Sequence, residues 1–331
     1  MTWKIALMAG LLCAPLPAMA QGYSTMSHEG LRTGVILRQS ECPDRPGQVW
    51  ASAPYPDGTV EGVCIRYYAA GLAGTNPKAV AFIHGNRLNQ SYDEQGRLVR
   101  VGVSDSYGNP SEESLQRAAE AQSRALGHPF IIVARPGNYG SSGIASEQFR
   151  RREVALMNAA LEAIKQRHRI ESFGIAAQSG GGPSLAGMLA ARSDIACAAF
   201  SSALTALRER EEAMGNAARG PRLSQTLVDA YDPIREVGSI QASDRRRVFI
   251  VGDAEDKLIP YAAQQAYADA LTRQGVKVTA TTSTAVGSNR HSLGATGQRA
   301  VGWCLDGLQD DEIATRMRQG EAGYLLPGGF Y

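Results

Sequence analysis

A chain of 331 residues with a formal charge of +2 is long enough for one large domain or two ordinary ones. Hydrophobic residues at 44% and charged residues at 20% suit a globular protein and exclude a disordered or fibrous one. The 34 basic and 32 acidic residues nearly cancel, so no charge excess calls for nucleic acid or an anionic surface as partner.

The first twenty residues have the layout of a secretory signal peptide. A short basic start ending at Lys4 precedes an apolar run from Ile5 to Leu12, and Ala18-Met19-Ala20 offers a small-x-small cleavage site before Gln21. The run is too short to cross a bilayer, and nothing later in the chain is long enough either. Leu12 before Cys13 is not the small residue that lipidation requires. An exported protein, periplasmic or secreted, is therefore expected. Removal of residues 1–20 leaves Cys42, Cys64, Cys197 and Cys304, an even count that permits disulfides. A Cys42–Cys64 bridge would close a loop of about 22 residues and contribute roughly 3 kcal/mol. Cys197 lies in the apolar run IACAAF, where a buried thiol is as reasonable as a bridge to Cys304.

Residues 21–34 are polar and Gly-containing and read as a flexible arm. From Val35 to Tyr68 the runs VILR, QVWAS and VEGVCIRYY, broken by Pro, Gly and Asp, predict antiparallel strands. From Ala79 the pattern changes to short, near-continuous apolar runs at 79–83, 130–134, 173–177, 196–200, 248–251 and 276–282. Such runs are expected of parallel strands covered on both faces. Helical segments lie between them. Asn109 is placed as an N-cap with Pro110 at the first helical position. Val154, Met157, Leu161 and Ile164 fall on one helix face, as do Ala263, Tyr267, Ala270 and Leu271. The expected architecture is a single α/β domain over residues 35–331, with a mostly parallel, doubly wound sheet and antiparallel N-terminal strands. Two connections are unusually long, 86–109 and 203–245. They are candidate lids, because loops at the carboxyl ends of strands surround the ligand crevice of such sheets.

Chemistry concentrates at the ends of the predicted strands. In AAQSGGG, Ser179 lies between an apolar strand and a helical stretch. A tight strand-to-helix turn needs small residues two positions before and after the nucleophile, here Ala177 and Gly181. Such a serine would project at a helix N-terminus, where the Gly180 amide could donate to a developing oxyanion. The turn His84-Gly85-Asn86 follows the first parallel strand and makes the Asn86 amide the second candidate donor. In GDAEDKLIP, Asp256 is the favoured acid for orienting a histidine, and Asp253 is more suited to stabilising the turn. Of the five histidines, only His291, in SNRHS, follows the last strand with that acid upstream.

The chain order Ser179, Asp256, His291 matches Ser…Asp…His in α/β-hydrolases. With HGN, RPGNYGSSG, YDP and the motifs above, residues 45–310 resemble the α/β-hydrolase superfamily. The C-terminal half is most similar to the catalytic domains of prolyl oligopeptidase-type enzymes and of dienelactone hydrolase-like proteins. AQSGGG departs from the GGSxGG common in those peptidases, and the chain is too short to add a seven-bladed propeller. The resemblance implies an α/β-hydrolase fold with a small lid and a serine hydrolase acting on a small or medium carboxylic ester. A serine peptidase or amidase without propeller is the alternative, and a non-catalytic binding protein on the same fold is the third reading. The partner implied is a small-molecule ester or a short peptide. No phosphate loop, metal-ligand spacing or cofactor motif stands out. Oligomeric state is not readable from these features.

Overall fold

The computed structural model describes residues 25–93, 97–108, 110–215 and 229–320. Residues 1–20, read as a signal peptide from the sequence, Asn109 and residues 216–228 of the candidate lid 203–245 lie outside the described residues.

The described residues form ten strands. In chain order they are β1 (Gln48–Pro54), β2 (Val60–Ala70), β3 (Asn76–Ile83), β4 (Leu88–Tyr92), β5 (Leu98–Val103), β6 (Phe130–Val133), β7 (Ile170–Gln178), β8 (Ile195–Ser201), β9 (Arg247–Gly252) and β10 (Val278–Thr282). Eight of them make one sheet in the order β1-β2-β6-β3-β7-β8-β9-β10. β2 is antiparallel to both β1 and β6, and every pairing from β6 to β10 is parallel. The expected mostly parallel sheet with an antiparallel entry is therefore present.

Strand residues alternate between two cores. Ala79, Ala81 and Ile83 of β3 enter one apolar cluster, and Val80 and Phe82 enter the other. The first cluster is covered by α3 (Arg151–His168), α4 (Gly182–Ala191) and α6 (Tyr261–Arg273), with the short α5 (Leu207–Met214) between the last two in the chain. The second is covered by α2 (Glu112–Leu126), α7 (Gly294–Leu305) and α8 (Asp310–Met317). Both faces are dry, which is why these strands carry near-continuous apolar runs. The helix faces read from spacing are buried as expected: Val154, Met157, Leu161 and Ile164 on α3, and Ala263, Tyr267 and Leu271 on α6.

The sheet order places the crevice. The chain leaves β3 for β6 on one side and then crosses to β7 on the other. That reversal opens a gap at the carboxyl ends of β3 and β7, where ligands bind in open α/β sheets.

Three expectations need correction. Residues 25–34 are not a loose arm. They hold α1 (His28–Thr33), capped by the Ser27 hydroxyl, with Leu31 fully buried in the second core. Of the VILR run only Val35 pairs, bridging Gly143, because Ile36 points into solvent at 72% exposure. The N-cap of α2 is Ser111, whose hydroxyl accepts from the Ser114 amide while the Ser114 hydroxyl is bonded to the Ser111 amide. That reciprocal pair starts the helix after Pro110. The long connection 86–109 carries the β4–β5 hairpin, standing apart from the main sheet.

Both cysteine pairs are bridged. Cys42–Cys64 ties the loop before β1 to β2, and Cys197–Cys304 ties β8 to α7 across 107 residues. No helix among the described residues is long and apolar enough to cross a membrane.

Candidate active site

Ser179 sits where β7 turns into α4, with φ at +51°. A non-glycine residue seldom adopts this left-handed conformation, and residues held in it cluster at functional sites. The turn is tight because the chain passes close to the end of β3. A Cβ on Gly181 would come within 2.7 Å of the Ile83 carbonyl oxygen and 2.9 Å of that of His84. The loop after β8 braces the turn from the other side, the Leu204 amide donating to the Ser179 carbonyl at 2.9 Å. Ala177, the other small position, is fully buried at the end of β7.

His291 reaches Ser179 from the loop between β10 and α7. Its Nε2 lies 2.8 Å from Ser179 Oγ, and its Nδ1 lies 2.8 Å from Asp256 Oδ2. The Asp256 side chain has no exposed surface. Its Oδ1 accepts from the amides of Leu258 at 2.8 Å and Ile259 at 2.9 Å, which leaves Oδ2 for the imidazole. Nδ1–H donates to that carboxylate oxygen, so Nε2 presents its lone pair to the serine hydroxyl.

The two loops that carry the acid and the imidazole are stitched together. Lys257 donates its amide to the Asn289 carbonyl at 3.0 Å and its ammonium to that of Ser288 at 2.9 Å. Asp253, nearly fully buried, accepts from the amides of Glu255 at 2.8 Å and Ala285 at 2.7 Å and from the Arg290 guanidinium. Burial alone would raise its pKa. The hydrogen bonds from Arg290 and from the Ala285 and Glu255 amides outweigh that and hold the carboxyl below its usual range. Asp253 thus has the turn role read from its position, and Asp256 meets the histidine.

The turn after β3 lies directly beside the serine. A Cβ on Gly85 would approach Ser179 Cβ to 2.8 Å, and a Cβ on Gly180 would come 2.0 Å from Asn86 Oδ1. Ser179, Gly180, Asp256, His291 and Asn86 are thereby gathered at one place, at the carboxyl ends of the parallel strands. The other histidines have separate partners: His28 at the Gly108 carbonyl, His128 at Asp306 and His168 at the Tyr67 hydroxyl. The sequence reading passed over Arg135, which donates to Asn86 Oδ1 at 2.8 Å from full burial. An arginine directly after an apolar strand and before Pro136 was the available signal. Among the described residues, no group of three or more His, Cys, Asp or Glu side chains is placed to hold a metal ion.

No protein-family model and no curated protein matches this sequence. Solved structures do. The acylaminoacyl peptidase of Pyrococcus horikoshii is 13% identical with a TM-score of 0.51, the match covering 80% of this chain and 43% of the peptidase. The chain has the α/β-hydrolase fold. An esterase of Pyrococcus furiosus is 13% identical over 76% of this chain and 85% of its own, at a TM-score of 0.45. Est1E from Butyrivibrio proteoclasticus, solved with ferulic acid bound, is 15% identical over 73% and 94%, at 0.49. At such identities the likeness speaks to the fold alone. Within this fold, Ser179, Asp256 and His291 each stand beyond the carboxyl end of a strand of the same parallel run, β7, β9 and β10. Three distant stretches of sequence thereby reach one point.

Proposed function

We propose that the protein is an exported serine hydrolase that cleaves a small or medium carboxylic ester. The observation that carries this reading is the continuous hydrogen-bonded line Ser179 Oγ, His291 Nε2, His291 Nδ1, Asp256 Oδ2, with both contacts at 2.8 Å. Support for export comes from the signal-peptide layout of residues 1–20 and from the two disulfides.

In this mechanism Ser179 Oγ attacks the ester carbonyl carbon as His291 Nε2 takes its proton. The carbonyl electron pair moves onto oxygen, and the amides of Asn86 and Gly180 bind the resulting anion. Asp256 keeps the imidazole in the working tautomer and stabilises its charged form. Collapse of the tetrahedral adduct expels the alcohol, which takes the proton from His291. Water, deprotonated by the same imidazole, then releases the acid and restores Ser179. No step needs a cofactor.

The test is to treat the wild type and Ser179→Ala with a fluorophosphonate probe and with p-nitrophenyl esters of graded acyl length. Labelling and turnover are expected in the wild type and absent in the variant, with the fold retained. Labelling that persists in Ser179→Ala removes this assignment. A parallel set of aminoacyl-naphthylamides decides between ester and amide: faster cleavage of these would make the protein a peptidase, like the acylaminoacyl peptidase of Pyrococcus horikoshii.

A further inference from the structure

Arg135 stands just beyond β6, its residue 1% exposed, deep beside the turn formed by His84, Gly85 and Asn86. An arginine is seldom buried without a partner, and here its carboxylate is Glu153, on the first turn of α3 and itself 6% exposed. Arg135 Nε donates to Glu153 Oε1 at 2.7 Å, and Glu153 Oε2 accepts from the Phe149 amide at 2.7 Å. The guanidinium is thus fixed from behind, Nη2 also lying 2.7 Å from Glu153 Oε1, and Nη1 is left to reach the turn after β3.

Arg135 holds that turn at two places. Its amide donates to His84 Nε2 at 3.2 Å, and its Nη1 donates to Asn86 Oδ1 at 2.8 Å. Because His84 Nε2 accepts, its proton is on Nδ1, which donates to the Gly85 carbonyl at 2.7 Å. Full burial, reinforced by the charges of Arg87 and Arg135, holds the His84 pKa well below its ordinary value, so the ring stays neutral and keeps this pattern. His84 and Asn86 are thus each bonded to Arg135, and Gly85 is tied in through the His84 ring. The Asn86 carboxamide, gripped by Arg135 on one side, lies against Gly180 on the other.

We propose that Arg135, braced by Glu153, is the positioning residue of the oxyanion turn. This rests on the serine-hydrolase reading and adds a part to it. Arg135 does not touch the reacting atoms; it sets where the Asn86 amide stands relative to Ser179 and Gly180. A planar fork with several fixed donors can serve Glu153 and Asn86 together, and a lysine ammonium cannot reproduce that geometry.

The experiment compares Arg135→Lys, Asn86→Ala and the double variant with wild type. The readouts are kcat and KM on a p-nitrophenyl ester, labelling by a fluorophosphonate and thermal melting. Asn86→Ala keeps the backbone amide and removes only the group that Arg135 grips, at a partly exposed position. Removing an oxyanion donor lowers kcat by on the order of 100-fold or more. Each single variant is therefore expected to lose kcat toward that scale, with KM within about threefold of wild type. The double variant is expected to be no worse than the poorer single, because both changes break the same link. A kcat in Asn86→Ala within about threefold of wild type overturns the proposal, as do losses that multiply in the double. If Arg135→Lys does not fold, Asn86→Ala decides alone. Wild-type protein that is not labelled at Ser179 removes the hydrolase reading itself, a failure separate from any in the variants.

Discussion

Arg290 grips Asp253 with two donors of its guanidinium, Nε to Oδ2 at 2.8 Å and Nη2 to Oδ1 at 3.1 Å. This ion pair lies one residue before His291 and three residues before Asp256. It separates the roles of two acids that share one loop. Asp253 binds the loop after β9 to the loop after β10, and Asp256 faces the imidazole. Asp256→Asn is expected to reduce kcat by on the order of 10⁴, since the amide no longer holds the imidazole in the required tautomer. Asp253→Asn should leave kcat within about tenfold and lower stability, because a neutral amide holds the partly exposed Arg290 and the Ala285 and Glu255 amides less strongly than the carboxylate does. Steady-state kinetics and urea unfolding on the two variants check this. The reverse pattern would hand the catalytic role to Asp253.

His84 makes stability depend on pH. Its folded pKa is pushed well below the ordinary 6.5 by full burial and by the neighbouring Arg87 and Arg135 charges. The unfolded chain takes up a proton on this ring as pH falls through about 6.5, and the native state does not. Stability is therefore fully present above that pH and falls below it, by up to about 1.4 kcal/mol per pH unit for one proton. His168, its pKa lowered by burial and by Arg167, adds a smaller loss of the same sign, because it is only partly enclosed. Urea midpoints should hold between pH 7.5 and about 6.5 and decline from there to pH 5.5. A flat profile would mean that His84 is protonated in the native state.

The lines of the sheet were readable because burial on both faces leaves a simple trace: six apolar runs each became a strand. Ser179, Asp256 and His291 were readable because each sits next to a strand end with a characteristic local pattern, and their order along the chain limited the choices. Arg135 was not readable. Its place between an apolar strand and Pro136 marks it only weakly, and its meaning comes from Glu153, 18 residues on, and Asn86, 49 residues back. The order in residues 25–34 was hidden for a similar reason. Polar, Gly-containing sequence predicts a loose arm, but Leu31 finds a place in the core, and the Tyr107 hydroxyl donates to the Thr25 carbonyl.

The Cys197–Cys304 bridge closes the larger of the two disulfide loops and anchors α7, the helix that follows the His291 loop. Constraint of the unfolded chain over 107 residues is worth up to about 5 kcal/mol, against about 3 kcal/mol for Cys42–Cys64 with its 22-residue separation. Cys197→Ala/Cys304→Ala should therefore lower stability more than Cys42→Ala/Cys64→Ala. Chemical denaturation under non-reducing conditions ranks the two pairs. Equal losses would show that loop length does not govern the stabilisation.

The closest constraint on the serine is the missing side chain at Gly85. A methyl group there would stand 2.8 Å from Ser179 Cβ, and both atoms are attached directly to backbone, so neither can turn aside. Ser179 would have to shift, and its Oγ would leave its 2.8 Å contact with His291. A displacement of about 1 Å at a reacting group lowers turnover on the order of 100-fold. Gly85→Ala is expected to lose activity on that scale while remaining folded. Gly238→Ala is the matched control, because no atom lies within 4 Å of its added methyl group. Kinetics on p-nitrophenyl esters together with thermal melting of both variants provide the check. Full activity in Gly85→Ala would mean that the turn after β3 stands farther from the serine than these contacts require.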